Sequence, residues 1–225
     1  MKGKKTVAVI PAYNEEKRLG EVLKELKQYV DEIVVSDDGS SDRTAEIARK
    51  AGAKVISSPV NMGVGHATRL GCDYAITKRM AEVIVLIDAD GQHAPSDIPK
   101  LLEKIDGSCE FVFTSRFKEK KEMPVIKTLG NSFLTFSTNL LSGISITDSQ
   151  SGFRAMTKEA YEKLDLRTDG YEICSEFAIE VGRKRIKYRE VQIRAVYDDW
   201  TKIKGTDVTT GMKIFARSLW MRLIR

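Results

Sequence analysis

Over residues 1–115 the hydrophobic pattern alternates between two periods. Thr6–Ala12 is a short apolar run. Glu15–Val30 then carries Leu19, Val22, Leu23, Leu26 and Val30 at helical spacing. The alternation continues with a strand over Glu32–Ser36 and a helix over Asp42–Ala51, opened by cap-type Ser40 or Ser41. A strand over Lys54–Ser57, a helix over Gly65–Lys78 and the most apolar strand, Val83–Asp88, come next. A helix over Pro95–Ile105, with Pro95 or Ser96 at its start, leads to a fifth strand, Phe111–Ser115. Strands alternating with helices predict βαβ units, an α/β fold and a mainly parallel, buried sheet. In such sheets ligands bind beyond the carboxyl ends of the strands, which points to the loops after Ile10, Ser36, Ser57, Ile87 and Ser115.

The second half reads differently. Val125–Ser142 is helical in pattern, with Ile126, Leu129, Phe133, Phe136 and Leu140 on one stripe. Shorter helices are expected over Lys158–Leu164 and Glu176–Arg185, and a strand over Lys187–Val196. Thr209–Arg225 reads as a basic amphipathic helix with Met212, Phe215, Leu219, Trp220 and Leu223 on its apolar face, equally consistent with core packing or a bilayer interface. No repeat or linker divides the 225 residues, so they read as a single domain. Three scattered cysteines without a CxxC pair argue against a zinc ribbon or disulfide framework and suggest a reducing, cytoplasmic setting. The amino-terminal apolar run is too short for a signal peptide. The charge-free stretch Thr128–Thr147 is too polar to span a bilayer, so membrane contact is expected to be peripheral. The net charge of +5 suits nucleic acid, an anionic membrane or a phosphorylated substrate.

Val85-Leu-Ile-Asp88-Ala-Asp90-Gly-Gln92-His93 ends a buried strand in two carboxylates one residue apart. Hard oxygen ligands of this kind suit Mg²⁺ or Mn²⁺, which take one or two carboxylates plus substrate phosphates. A plain Asp90-Gly91 turn is the structural alternative. With only two histidines in the chain a His-rich metal site is excluded, and His93 reads as a structural neighbour of this loop. Asp37-Asp38-Gly39-Ser40 follows the second strand, where carboxylates can accept from base N–H groups and ribose hydroxyls; a turn plus cap explains them equally. Asn61-Met-Gly63-Val-Gly65-His-Ala67 places glycines before a helix, where backbone amides can approach phosphates. No dinucleotide fingerprint or P-loop occurs.

Taken together, Pro11-Ala-Tyr13-Asn-Glu15, Asp37-Asp38-Gly39-Ser40, Asn61-x-Gly63-x-Gly65-x-Ala67 and Asp88-Ala-Asp90-Gly-Gln92-His93 resemble the family 2 glycosyltransferases of the GT-A fold. Ser115-Arg116-Phe117, Glu122-Met-Pro124 and Asp148-Ser-Gln150-Ser151-Gly152-Phe-Arg154 are similar to the polyprenyl-phosphate hexose synthases, the dolichyl-phosphate mannose synthase group. The resemblance implies a single GT-A catalytic domain, with residues 1–117 as the nucleotide-sugar-binding half and residues 118–225 as the acceptor-binding half. It places Pro11, Tyr13, Glu15, Asp37, Asp38, Gly63 and Asp88 on the nucleotide sugar. It gives Asp88, Asp90 and Gln92 to the metal, Mg²⁺ or Mn²⁺, and makes Asp90 and Arg116 the catalytic pair. Arg116, Lys127, Gln150, Ser151 and Lys202 fall to the acceptor phosphate; Lys127 stands where the group often has a second arginine. The implied partners are a nucleotide sugar and a polyprenyl phosphate at the cytoplasmic membrane surface, with a separate small membrane subunit as a further expectation.

The chemistry is coherent. A phosphate acceptor is already an anion, so attack on an anomeric carbon needs positioning and charge neutralisation more than a base. In-line attack would invert that centre. GDP-mannose is the leading donor, with UDP-glucose or UDP-N-acetylglucosamine second. A soluble transferase acting on a saccharide is the rival in the same class. A non-catalytic nucleotide- or RNA-binding protein is the rival of another class. RNA is disfavoured because the basic residues are dispersed, with no interleaved aromatic motif.

Overall fold

The computed structural model describes residues 3–116 and 125–194, the side chains of 125–129 excepted. The expected helix at Thr209–Arg225, Lys202 and the side chain of Lys127 lie outside that description.

The order of elements is β1 (Thr6–Ala12), α1 (Leu19–Leu26), β2 (Glu32–Asp37), α2 (Thr44–Lys50), β3 (Lys54–Ser57), α3 (Val64–Thr77) and β4 (Val83–Leu86), then α4 (Ile98–Leu102) after a 3₁₀ turn at Pro95–Asp97. β5 (Phe111–Ser115), α5 (Val125–Ser142), β6 (Arg154–Thr157), α6 (Lys158–Lys163), α7 (Ile173–Arg183) and β7 (Tyr188–Gln192) follow. The strands form a seven-stranded sheet in the order β3-β2-β1-β4-β6-β5-β7. All pairings are parallel except those of β6, which runs antiparallel to both β4 and β5.

Side-chain alternation along the strands divides the core into two layers. Ala8, Ile10, Val83, Val85 and Val35 face one side, packed with Leu19, Val22, Leu23 and Leu26 of α1 and with Ile98 and Leu101 of α4. Val7, Val9, Val34, Ile84, Leu86, Phe111 and Phe113 face the other, against Cys72, Ala75 and Ile76 of α3 and Phe177, Ala178 and Val181 of α7. Every strand residue from Val7 to Ile10 is fully buried, as a sheet covered on both faces requires.

Three differences from the sequence expectation have causes in contacts between distant parts of the chain. α1 begins at Leu19 rather than Glu15, because the amides of Glu15 and Glu16 are taken by the Thr44 hydroxyl and the Asp42 carboxylate, which fix a turn there. Ser40 and Ser41 do not cap α2. The Ser40 hydroxyl accepts from the Asn14 amide and the Ser41 amide donates to Asn14 Oδ1, so these serines join the loops after β1 and β2. β6 is not foreseen by the sequence pattern: four residues, Arg-Ala-Met-Thr, carry little strand signature, and pairing on both edges is what makes them a strand. Because β6 is reversed, its first residue, Arg154, pairs with Leu86 at the end of β4. The loop entering β6 therefore meets the loops leaving β1, β2, β4 and β5 at one edge of the sheet.

Candidate active site

At that edge the loop after β4 carries the two carboxylates. Asp90 Oδ1 accepts from the Gln92 amide at 3.0 Å, and Gly91 takes φ 77°, so a tight turn is present as well as a carboxylate pair. Asp88 Oδ2 lies 3.1 Å from His93 Nε2; a carboxylate can only accept, so the imidazole donates. The Asp88 side chain keeps 39% of its surface while the His93 ring is buried, so Asp88 opens into the cleft from a fixed support.

The two carboxylates are driven apart electrostatically. Burial disfavours the charge on Asp88, but the His93 hydrogen bond and the charges of His93, Arg116 and Arg154 outweigh it and hold its carboxyl below the usual range. Burial first, and then the neighbouring Asp88 charge, push the Asp90 carboxyl up. A divalent cation between them would relieve that repulsion. Among the described residues no three His, Cys, Asp or Glu side chains form a cage. A pair of carboxylates that needs substrate phosphates to complete it is the donor set Mg²⁺ or Mn²⁺ accepts, so the residues present fit such an ion.

Arg116, just past β5, is held on the far side of the cleft. Its Nε and Nη2 donate to the two oxygens of Asp148 at 2.7 and 3.1 Å. Asp148 is buried; burial opposes its ionisation, and the Arg116 charge and hydrogen bonds overcome this and keep it depressed. Arg154, beneath, is wholly buried. It donates to the carbonyls of Ser151 and Ser149 and stacks over Phe177 with 4.8 Å to the ring centroid.

The other expected residues divide into two groups. Pro11 is one of the last two residues of β1, and Tyr13 and Glu15 follow it at the cleft, with Tyr13 exposed. Asp37 and Asp38 are both buried. Asp38 accepts from the amides of Met62 and Gly63 at 2.9 and 2.7 Å and so anchors the glycine loop. Asp37 accepts from the Ser40 amide. Gly63 and Gly65 do not offer an open phosphate cradle: the Gly65 amide donates to the Asp169 carbonyl at 2.6 Å. A methyl group at Gly63 or Gly65 would lie 3.0 or 2.8 Å from the Asp169 carbonyl carbon, with the carbonyl oxygens of Asp169 and Thr168 nearer still. The glycine requirement at Gly65 thus comes from the 165–170 loop, which Glu176 holds through the amides of Arg167 and Thr168, while Gly63 also takes a left-handed φ of 104°. Ser151 is also turned inward: its hydroxyl is 2.6 Å from that of buried Thr114. The Gln150 amide donates to the hydroxyls of Ser149 and Ser175. The residues that sequence alone does not point to are supports: Asp148 pins Arg116, and Glu176 and Asp169, which show no motif or spacing signal, hold the 165–170 loop against the glycines.

A strand-loop carboxylate pair on a mostly parallel sheet, with an arginine after β5 pinned by the loop that enters the reversed strand β6, is the arrangement of a glycosyltransferase of the GT-A type. Residues 7–165 match the profile of glycosyl transferase family 2, and the chain belongs to that family. It is 40% identical over 239 residues to the UDP-N-acetylglucosamine–dolichyl-phosphate N-acetylglucosaminyltransferase of Methanococcus voltae, covering 96% of this chain and 95% of that one. It is 30% identical over 177 residues to the polyprenol monophosphomannose synthase of Mycolicibacterium smegmatis, covering 72% and 65% respectively. Its fold matches the crystal structure of Mycobacterium tuberculosis glucosyl-3-phosphoglycerate synthase with Mn²⁺, UDP-glucose and glycerol 3-phosphate at a TM-score of 0.76, with 21% identity over 98% of this chain and 80% of that one.

Proposed function

We propose that this glycosyltransferase moves a hexosyl group from a nucleoside diphosphate sugar to a polyprenyl (dolichyl) phosphate, with inversion at the anomeric carbon. The observation that carries the reading is that one loop joins the two groups: Asp148 pins Arg116 at two points, and Gly152, in the same loop, packs against the Asp88 carboxylate, so a carboxylate pair suited to a cation on the donor diphosphate and an arginine suited to a phosphate acceptor share one site. Asp88 and Asp90, with Gln92, would hold Mg²⁺ or Mn²⁺, which supplies Lewis-acid stabilisation of the departing nucleoside diphosphate. Pro11, Tyr13 and Glu15 line the nucleoside end, and Asp37, Asp38 and Gly63 shape it from beneath. Arg116, fixed by Asp148, orients the acceptor phosphate for in-line attack, and Lys127, Gln150 and Lys202 belong to the same acceptor side.

The long 40% match to an enzyme named for UDP-N-acetylglucosamine supports that donor ahead of GDP-mannose and UDP-glucose. No described helix is long and apolar enough to cross a membrane. Phe133, Phe136 and Leu140 on α5 are 56%, 68% and 75% exposed at helical spacing, which supports contact with the bilayer surface that holds a lipid acceptor. The test is a panel of UDP-N-acetylglucosamine, UDP-glucose and GDP-mannose with polyprenyl phosphate and Mg²⁺ or Mn²⁺, scored for sugar extracted into the lipid phase. Lipid-linked N-acetylglucosamine is expected. Transfer of the sugar to a soluble saccharide, with the nucleoside diphosphate released and no lipid product, would overturn the acceptor.

A further inference from the structure

Asp88 is wedged between two groups that have no part in the transfer chemistry above. On one side is the His93 imidazole, itself buried and tilted against Phe153 with 5.5 Å between ring centroids. On the other runs the backbone of Gly152. A methyl group built there would stand 2.6 Å from Asp88 Cγ and nearer still to both carboxylate oxygens. Gly152 is not needed for a left-handed turn, since its φ is not positive. Its requirement is purely steric.

The wall cannot simply step back. Phe153, the next residue, is fully buried, and its carbonyl accepts from the Thr114 hydroxyl at 2.6 Å. The residue before, Ser151, is bonded to the same Thr114 hydroxyl, and Arg154 grips the Ser151 and Ser149 carbonyls from below. Phe153 also braces His93, so the imidazole and the glycine belong to one rigid assembly.

We propose that His93 and Gly152 are positioning residues that set the Asp88 carboxylate for the divalent cation on the donor diphosphate. His93 holds Oδ2. Gly152 leaves the space the carboxylate needs and closes its back, so that the remaining lone pairs face the cleft. The inference rests on the reading of Asp88 as a metal ligand. It also means that the motif that pins Arg116 through Asp148 shapes the cation site of the opposite half. Groups that orient a ligand without touching the metal commonly change metal affinity 10- to 100-fold.

The experiment is Mn²⁺ binding by the full chain, read as the free-ion EPR signal with saturating UDP and, in parallel, GDP. Asp88→Asn serves as the reference for a lost ligand. Gly152→Ala is expected to bind Mn²⁺ at least about tenfold more weakly while its circular dichroism and metal-free melting stay like those of the parent. His93→Leu fills a similar buried volume without a donor and should also lose about tenfold. Both variants binding within twofold of the parent would overturn the inference. If Gly152→Ala does not fold, His93→Leu decides by the same criterion. A parent chain that binds no Mn²⁺ with either nucleotide would instead sink the assignment of Asp88 as a ligand, a different failure.

Discussion

Asp88 and Asp90 are separated by one alanine, yet their surroundings push them in opposite directions, one toward its charged form and one away from it. That split is what a cation would reconcile. Asp90→Ala is expected to abolish transfer with the fold intact, and Asp88→Asn to lose most activity; unchanged turnover of Asp90→Ala, measured as lipid-linked product, would remove Asp90 from the site. Arg116→Ala should weaken use of polyprenyl phosphate far more than nucleotide-sugar binding. A charge-assisted contact to phosphate contributes about 1.5–3 kcal/mol, or roughly tenfold to a hundredfold in acceptor kcat/KM. Loss of donor affinity with acceptor kinetics untouched would move Arg116 to the donor site. Away from the cleft, hydrogen bonds from Arg79 and then Lys5 hold Glu32 at a pKa of about 2, against 4.5 ordinarily. A depressed carboxyl contributes stability above its unfolded pKa and loses it as pH falls through the folded one. All three side chains keep between 22% and 35% of their surface, so solvent screening reduces the contribution to about 1 kcal/mol. Urea unfolding should show Glu32→Gln less stable by that amount at pH 7, with the gap closing as pH falls from 4.5 toward 2.

Among the elements, the junction between the 61–65 loop and the 165–170 loop joins the two halves of the chain. Arg69 donates to the Thr168 carbonyl and pairs with Asp169 at 2.6 Å, adding a clamp to the glycine notch at the start of α3. Asp38 secures one side of that notch and Glu176 the other. Gly65→Ala would force a side chain into backbone atoms. Overpacking of this sort costs typically 1–3 kcal/mol, and urea unfolding should register it. A variant as stable as the parent would mean that the 165–170 loop yields freely. α5 makes a separate case: its span, Val125–Ser142, is as the hydrophobic stripe predicts, but Phe133, Phe136 and Leu140 of that stripe point outward rather than into the core.

For the molecule as a whole, a net charge of +5 and an exposed apolar helix face together predict attachment to anionic membrane surfaces. Each Lys or Arg near such a surface adds about 1 kcal/mol, screened by salt. Flotation with anionic liposomes should therefore be strong at low salt, fall as salt is raised, and drop for Phe136→Asp. A chain that ignores liposomes at low salt would leave membrane contact to a separate subunit.

The sequence by itself determined the βαβ alternation, the strand ends at which loops gather and the carboxylate pair Asp88 and Asp90, because period and residue type are local properties. It could not decide which strand neighbours which. The reversed strand β6 lies between β4 and β5 through long-range pairing alone, and that insertion carries Asp148, Gly152 and Arg154 to the carboxylate loop. Nor could it separate side chains that face the cleft from those that hold the loops. Asp38, Ser151 and Gly63 stand in motifs that read as ligand-binding, and only packing and hydrogen-bond partners, set by residues far away in the chain, show what they hold within the fold.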